Sequence, residues 1–321
     1  MTEEKTKMSN FTFVNDPPPT DKTWQQWREM VENLGWYSDD HCVVEITPSL
    51  KNTRAVVATD ENSDYLGSVV WYEHDDLAFM GFYIMDENLR GKGIGTQIWK
   101  KAMDRIAESK KPLGLRGVSS MEEKYMANGL PYKAAVCSQV IATWQEMTEI
   151  CKSRPNRQKR TVRAVKDLNE EQFEQYLAFD KEVTGRDRSY LLQEVCKHPS
   201  MSGCVLFDEN KEIVATGSLT RTSLPKNHMF KLGPIYASTL ADSLQVIGIL
   251  MELARKTDPK AVVVFHMING TRGEKELRPL LERRNIVVKE TGASLFSEQW
   301  KNPIDNDKLY IVNNNPCHFD A

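Results

Sequence analysis

The stretch Tyr83-Ile-Met-Asp-Glu-Asn-Leu-Arg-Gly-Lys-Gly-Ile-Gly-Thr96 has the residue types of an anion-binding loop. A strand-like apolar run passes through a short polar turn into glycines that open a helix. Because glycine has no Cβ, the backbone can approach a ligand closely there. The first turn of a helix offers unpaired N–H groups and a partial positive charge, and Arg90 and Lys92 add cationic donors. The stretch therefore predicts a phosphate cradle.

Three familiar phosphate loops do not fit this stretch. The dinucleotide pattern G-x-G-x-x-G needs a third glycine where this chain has Thr96. The Walker pattern of four spacer residues followed by Gly-Lys-Ser/Thr does not occur. A kinase loop would require V-A-I-K and H-R-D segments downstream, and the sequence contains neither. One alternative stays open at this point, which is a glycine-rich turn before an amphipathic helix that binds nothing.

Arg90, Gly93 and Gly95 match the R/Q-x-x-G-x-G/A signature of the GNAT acetyltransferases, and residues 16–150 resemble a GNAT domain along most of their length. The strand-turn-loop-helix order agrees with that superfamily. The segment Tyr125-Met-Ala-Asn-Gly-Leu130 resembles the Y-x-x-x-G-F segment that ends its last helix. The resemblance implies acetyl-CoA as cosubstrate, bound by Tyr83, Met85, Arg90, Gly91, Lys92, Gly93, Ile94, Gly95 and Thr96.

The resemblance also assigns catalytic roles to two tyrosines. The backbone N–H of Tyr83 would face the thioester carbonyl and stabilise the developing oxyanion. Tyr125 would be the general acid that protonates the departing CoA thiolate, although a purely packing role for its ring is the alternative. Gly81 inside the strand fits a bulge that separates two strands. The implied mechanism is direct attack by a neutral amine, with no acyl-enzyme.

Two positions depart from the family pattern. Val118 stands where an asparagine often contacts the cofactor, and Phe79 stands where many relatives carry a carboxylate base. Other groups would then have to accept the amine proton, and the candidates are His41, Glu45, Glu73, His74, Asp75 and Ser119. These departures favour the competing hypothesis, in which the chain is a CoA-binding or sensing protein without turnover.

Three further segments resemble GNAT proteins with two domains: Leu34-Gly-Trp-Tyr37, Gly185-Arg-Asp-Arg188 and Gly233-Pro-Ile-Tyr-Ala237. Aromatic side chains bind amines by stacking and by cation–π contact, so Trp36 and Tyr37 are candidates for an acceptor pocket. A core position is the alternative for Trp36. Further substrate contacts, made across a domain interface, could come from Arg186, Asp187 and Arg188. A local ion pair is the alternative for Asp187 and Arg188.

A length of 321 residues favours two domains, and alternating strand and helix patterns in both halves predict an α/β class with mixed sheets. The expected organisation is two tandem GNAT-like domains. Its parts are a flexible tail over 1–15, a catalytic GNAT domain over 16–150, a basic linker over 151–163 and a degenerate GNAT-like domain over 164–321. The last is expected to be degenerate because it lacks the glycine pair and has Leu281 at the position that corresponds to Tyr125.

Composition excludes several other classes of protein. A net charge of −3 offers no field for a nucleic-acid backbone, and no run approaches the ~20 apolar residues of a membrane span. The polar, acidic N-terminus does not read as a signal peptide, and six scattered cysteines lack metal-site spacing. We therefore expect a cytoplasmic N-acetyltransferase that uses acetyl-CoA and no metal, acts on a small primary amine, and has no nucleic-acid or membrane partner.

Overall fold

A computed structural model describes residues 11–34, 41–222 and 228–319 of the chain. Within these ranges, thirteen strands form one mixed sheet and nine α-helices accompany it. The α/β class expected from the sequence is thereby confirmed. Every helix in the described ranges is too short or too polar to cross a membrane.

The first half of the chain supplies six strands and five α-helices. In chain order these are β1 Phe11–Asn15, α1 Lys22–Asn33, α2 His41–Ile46, β2 Thr53–Asp60, β3 Tyr65–Glu73, β4 Ala78–Met85, α3 Ile94–Glu108, β5 Leu113–Val118, α4 Glu122–Ala127, β6 Tyr132–Thr143 and α5 Trp144–Lys152.

The second half supplies seven strands and four α-helices among its described residues. They are β7 Thr161–Ala164, α6 Glu170–Thr184, α7 Ser189–Lys197, β8 Met201–Phe207, β9 Ile213–Arg221, β10 Met229–Ala237, α8 Leu240–Thr257, β11 Val262–Ile268, α9 Arg278–Glu282, β12 Val288–Phe296 and β13 Leu309–Ile311. A π-helical turn, Gly273–Leu277, precedes α9.

The two halves exchange strands where they meet. The sheet runs β1-β2-β3-β4-β5-β12-β6-β11-β10-β9-β8-β7, and β13 pairs with β10. Strand β12, from the second half, is antiparallel to both β5 and β6. Strand β6, from the first half, continues the second half through an antiparallel pairing with β11. The proposed division into 16–150 and 164–321 stays a prediction, but neither segment keeps all of its own strands together.

Helices cover both faces of the first half of the sheet. On one face, α3 buries Ile94, Ile98 and Ala102 in a cluster with side chains of β2 to β5. On the opposite face, Trp24 and Trp27 of α1 pack with side chains of β2, β3 and β4. The helix α3 predicted from its apolar spacing is thus confirmed, and its position fixes the preceding glycine loop at the end of β4.

The prediction of a flexible tail over residues 1–15 is wrong for residues 11–15. Phe11–Asn15 forms β1 and pairs antiparallel with β2. Arg105 holds this end in place by a salt bridge to Asp16 and a 2.8 Å hydrogen bond to the carbonyl oxygen of Ala55. Strand β10 is not predicted from the sequence either, because its central Gly233–Pro234 pair is typical of a turn. The pairing of β10 with β9 shifts register at this pair.

The C-terminal strap, which we define as residues 313–319, is buried between the two halves and is held by two arginines. Arg188 donates to the carbonyl oxygen of His318 at 2.6 Å and pairs with buried Asp180. Arg186 donates to the carbonyl oxygen of Phe319 at 3.2 Å and pairs with Asp76 at 2.9 and 3.0 Å. Two guanidinium groups therefore fix the path of the strap by its backbone.

The middle of the strap packs on strand β4. A Cβ atom added at Gly81 would lie only 2.3 Å from Cγ of Pro316, so the close approach requires glycine. The ring of Phe319 stacks on Phe79 with centroids 3.9 Å apart. His74 lies 3.2 Å through Nε2 from the carbonyl oxygen of Pro316. The strap is thereby fixed against the strand that carries the site.

The strand exchange makes the halves mutually dependent. If residues 1–155 and 156–321 are expressed as separate chains, β5 loses its partner β12 and β6 loses both neighbours. Such unpaired edges promote aggregation. We expect neither fragment alone to unfold cooperatively in urea, and co-expression to yield a 1:1 complex by size-exclusion chromatography. A monomeric 1–155 fragment with a cooperative unfolding transition would contradict the expectation.

Buried His74 makes stability depend on pH. Burial, with Arg186 and Arg188 nearby, lowers the pKa of His74 from 6.5 to about 4. Between these values the unfolded chain binds a proton that the folded chain does not, so the free energy of unfolding falls as pH drops through this window. At pH 4.5 the loss attributable to His74 should be roughly 2 kcal/mol relative to pH 7.

The variant His74→Gln isolates this contribution, because its amide can still donate to the carbonyl oxygen of Pro316 but does not titrate. Urea unfolding at pH 7 and at pH 4.5 should show the wild type losing roughly 2 kcal/mol more than the variant. Other titrating groups are common to both proteins and cancel in this difference. Equal losses in the two proteins would show that His74 does not carry the effect.

Candidate active site

Strands β4 and β5 separate partway along their length. They pair in parallel only over Ala78–Met80 and Leu113–Leu115. The register between β3 and β4 shifts so that Val70 lies opposite Phe82 while the next residue of β3 lies opposite Met80. Gly81 is therefore an extra residue, and the bulge predicted there is confirmed. The rest of β4 faces a gap rather than a neighbouring strand.

A cleft of about 1020 Å³ opens at this gap. The first half lines it with β4, the loop from Leu89 to Thr96, the end of β5 and Tyr125. Leu34, Met121 and Lys124 of the first half also line it, and the exchanged strands and the strap contribute Cys137, Gln139, His266, Thr291, Gly292, Asn314 and Pro316. Both halves of the chain thus build one cleft.

The predicted phosphate cradle forms one end of the cleft. Gly93 caps α3 in the left-handed region with φ 82°, and a Cβ atom added there would have no other atom within 4 Å. The start of α3 is therefore open at Gly93, and the N–H groups of a helix N-terminus are the groups that bind anions. Seven predicted cofactor residues line the cleft: Tyr83, Met85, Arg90, Gly91, Gly93, Gly95 and Thr96.

Two predicted cofactor residues lie elsewhere. Ile94 is buried in the core beneath α3 with 3% exposure, and Lys92 is an exposed residue outside the lining. Only the backbone of Ile94 can contribute to the cradle.

Three aromatic rings meet beside the cradle. Trp99 of α3 stacks on Tyr125 with ring centroids 5.5 Å apart, and its centroid lies 5.4 Å from that of Tyr83. Burial, together with repulsion from Tyr83, raises the pKa of Tyr125 to about 12, and burial also raises the pKa of Tyr83. Both phenols are consequently protonated at neutral pH. Tyr125 lines the cleft with its hydroxyl protonated.

A polar group lies at the other end of the cleft. Gln139 of β6 and His266 of β11 are opposite each other, and their Nε2 atoms are 3.2 Å apart. Nδ1 of His266 is buried, and no atom of the described residues bonds to it. Burial, with Lys231 and Arg116 nearby, holds the pKa of His266 well below its ordinary value. His266 is therefore neutral at physiological pH.

Four residues of the cleft are not among those expected from the sequence: Arg116, Gln139, His266 and Asn314. Arg116 and His266 could have been noticed as polar residues inside strand-like apolar runs, but strand exchange brings them together and leaves no local signal. The proposed proton acceptors do not lie here: His41, Glu45, Glu73, His74, Asp75 and Ser119 are all outside the cleft lining. His41 instead contacts Glu45 at 3.0 Å.

The predicted substrate contacts are not brought to this cleft. Arg186 and Asp187 line a separate cavity of about 270 Å³, while Arg188 is fully buried against Asp180. Asp187 lies 3.6 Å from Lys181 and does not pair with Arg188. The structure therefore places all three residues outside this cleft, and Arg186 and Arg188 hold the strap; that the three bind substrate stays a prediction. Trp36 and Tyr37 lie outside the described residues.

Comparison with known sequences identifies relatives of this chain. Residues 14–118 match the family model described as "Acetyltransferase (GNAT) family". The Caenorhabditis elegans protein named "Uncharacterized protein F36G3.2" is 32% identical over 313 residues, which cover 97% of this chain and 98% of the relative. Holothin acyltransferase of Pseudoalteromonas sp. (strain SANK 73390) is 26% identical over 202 residues, which cover 60% of this chain and 62% of that enzyme.

A solved structure has a similar fold over most of the chain. A tandem GNAT protein from the clavulanic acid biosynthesis pathway, described without AcCoA, superposes with a TM-score of 0.63 at 10% identity. The match covers 91% of this chain and 100% of that one. At this identity the likeness concerns the fold, and it agrees with two GNAT-like units in tandem.

Proposed function

The chain belongs to the GNAT acetyltransferase family, and on this premise we propose that it transfers the acetyl group of acetyl-CoA to the nitrogen of a small primary amine in the cytoplasm. One observation carries the proposal. The gap between β4 and β5 leads from the glycine loop at Gly93, past the phenol of Tyr125, into a chamber lined by the exchanged strands β6, β11 and β12 and by the strap. Pyrophosphate, thioester and amine would occupy these places in turn.

The proposed reaction is direct transfer. The lone pair of a neutral amine attacks the thioester carbon, a C–N bond forms, and the backbone N–H of Tyr83 donates to the oxyanion. The C–S bond then breaks, and the hydroxyl of Tyr125 gives its proton to the sulfur. The proton lost by the amine returns through water to the Tyr125 phenolate, so CoA leaves as a thiol and the product is an amide.

The acid role of Tyr125 is consistent with its surroundings. At a pKa of about 12 its hydroxyl keeps its proton through neutral pH. A cysteine-like thiol has a reference pKa of about 8.5, so proton transfer to a solvated thiolate would be uphill. The same burial disfavours the thiolate of CoA and raises its basicity, which brings the two groups closer in proton affinity.

Thiol release from acetyl-CoA in the presence of a panel of primary amines tests the proposal. We expect amine-dependent release, detected with a thiol reagent, together with the N-acetylated product by mass spectrometry. Acetyl-CoA binding without release for any amine would instead support the alternative, a CoA-binding or sensing protein.

Two glycine variants with the same backbone geometry test the cradle. Gly93→Glu places a carboxylate where the pyrophosphate should lie, so its Kd for acetyl-CoA should rise more than about 100-fold. Gly270→Glu is the matched control, because Gly270 has φ 84° and equally open surroundings but lies outside the cleft lining. Both should lose similar stability from left-handed strain. Equal acetyl-CoA affinity by calorimetry in both variants would contradict the assigned cradle.

Tyr125→Phe tests the proton donor. The variant keeps the ring that stacks on Trp99, so acetyl-CoA affinity and stability should change little. The kcat should fall by roughly 100-fold, since positioned acids typically contribute ~10²–10⁴ in rate. Tyr132→Phe removes a phenol from outside the cleft and should retain normal kcat. A normal kcat for Tyr125→Phe, measured where chemistry limits turnover, would leave Tyr125 only a packing role.

A further inference from the structure

Arg116 lies on the strand that borders the gap. Met80 of β4 is opposite Leu115 of β5, so Arg116 is level with the bulge at Gly81. Leu115 packs on the side of the sheet that α3 covers. Because side chains alternate along a strand, Arg116 faces the opposite side. There it donates through Nη1 to Oδ1 of Asn314, a residue of the strap. This contact fixes the guanidinium beside the acceptor end of the cleft.

The charge of the cleft favours an anionic ligand. Its lining contains the cations Arg90, Arg116 and Lys124, and no Asp or Glu of the described ranges is part of it. Arg90 and Lys124 flank the cradle side, whereas Arg116 lies on the acceptor side. A carboxylate would be attracted to Arg116, and a second ammonium group would be repelled. Arginine also suits carboxylates geometrically, because its planar fork can donate two parallel hydrogen bonds.

Arg116 and the open part of β4 line the same cleft, and Arg116 is level with Gly81 across the gap. A molecule that presents an amine to a thioester at β4 can therefore also present a carboxylate to Arg116. The rest of such a molecule would extend across β12 towards Gln139 and His266, where it meets a neutral polar pair.

From this arrangement we propose that the acceptor is an amine that also carries a carboxylate, of the amino-acid class, with the carboxylate bound by Arg116 in the orientation that Asn314 imposes. The inference rests on the proposed acetyl transfer and narrows the class of amine that accepts the acetyl group. It assigns substrate recognition to a contact between β5 and the strap. Polyamines and simple monoamines would be poor acceptors, since they bring no anion to Arg116.

The test compares acceptors that differ only in the carboxylate. Phenylalanine is paired with phenethylamine, tyrosine with tyramine and ornithine with putrescine, and kcat/KM is expressed per neutral amine. For the wild type, the carboxylated member of at least one pair should be preferred by roughly 10- to 100-fold. Arg116→Met should reduce this ratio to near one, and Arg116→Lys should leave an intermediate ratio. Arg163→Met removes an equal charge from β7, outside the cleft, and should keep the wild-type ratio.

A second measurement does not depend on the variants folding. In the presence of CoA, N-acetylphenylalanine should raise the Tm of the wild type more than N-acetylphenethylamine does. The inference is overturned if decarboxylated amines are the better acceptors in every pair, or if Arg116→Met folds and keeps the preference. Transfer to decarboxylated amines alone would leave acetyl transfer intact and reject only this inference. Thiol release with no amine of either kind would reject acetyl transfer itself.

Discussion

The pairing of β12 between β5 and β6 is the interaction on which the remaining structure depends. Strand β5 ends the first half of the sheet, and without β12 it would present an unpaired edge next to the gap. With β12 in place, β6 and β11 follow in register and bring Gln139 and His266 to the cleft. One set of backbone hydrogen bonds therefore joins the halves and completes the cleft.

The strap closes the same chamber by a different kind of interaction. Arg186 and Arg188 are almost fully buried, so each guanidinium needs its carboxylate and its strap carbonyl to offset desolvation. Removing one residue of either ion pair would leave the other as an unpaired buried charge. These pairs therefore fix the position of the strap and are not large sources of stability. They position Asn314 next to Arg116 and Pro316 next to the bulge. In the structure, the Gly185–Arg188 motif holds the strap that lines one wall of the cleft.

The features that could be predicted from the sequence are local. The glycine loop before α3, the bulge at Gly81 and the helix α3 each follow from glycine positions and apolar spacing within about fifteen residues. The far end of the cleft could not be predicted, because Arg116 and Asn314 are 198 residues apart and the pairing of Gln139 with His266 spans 127. Strand β1 could not be predicted for a related reason, since it forms by pairing with β2 and its own composition alone does not order it.

We propose that both halves of the chain build a single acetyl-CoA site at the gap between β4 and β5, and a crystal structure of the full chain with acetyl-CoA would test this most directly. Density for the pyrophosphate on the backbone of Gly91 to Thr96, and for the pantetheine between β4 and β5, should place the thioester near Tyr83 and open to Arg116. Acetyl-CoA bound to the second half, or lying across the surface with the gap between β4 and β5 empty, would contradict a single site built by both halves.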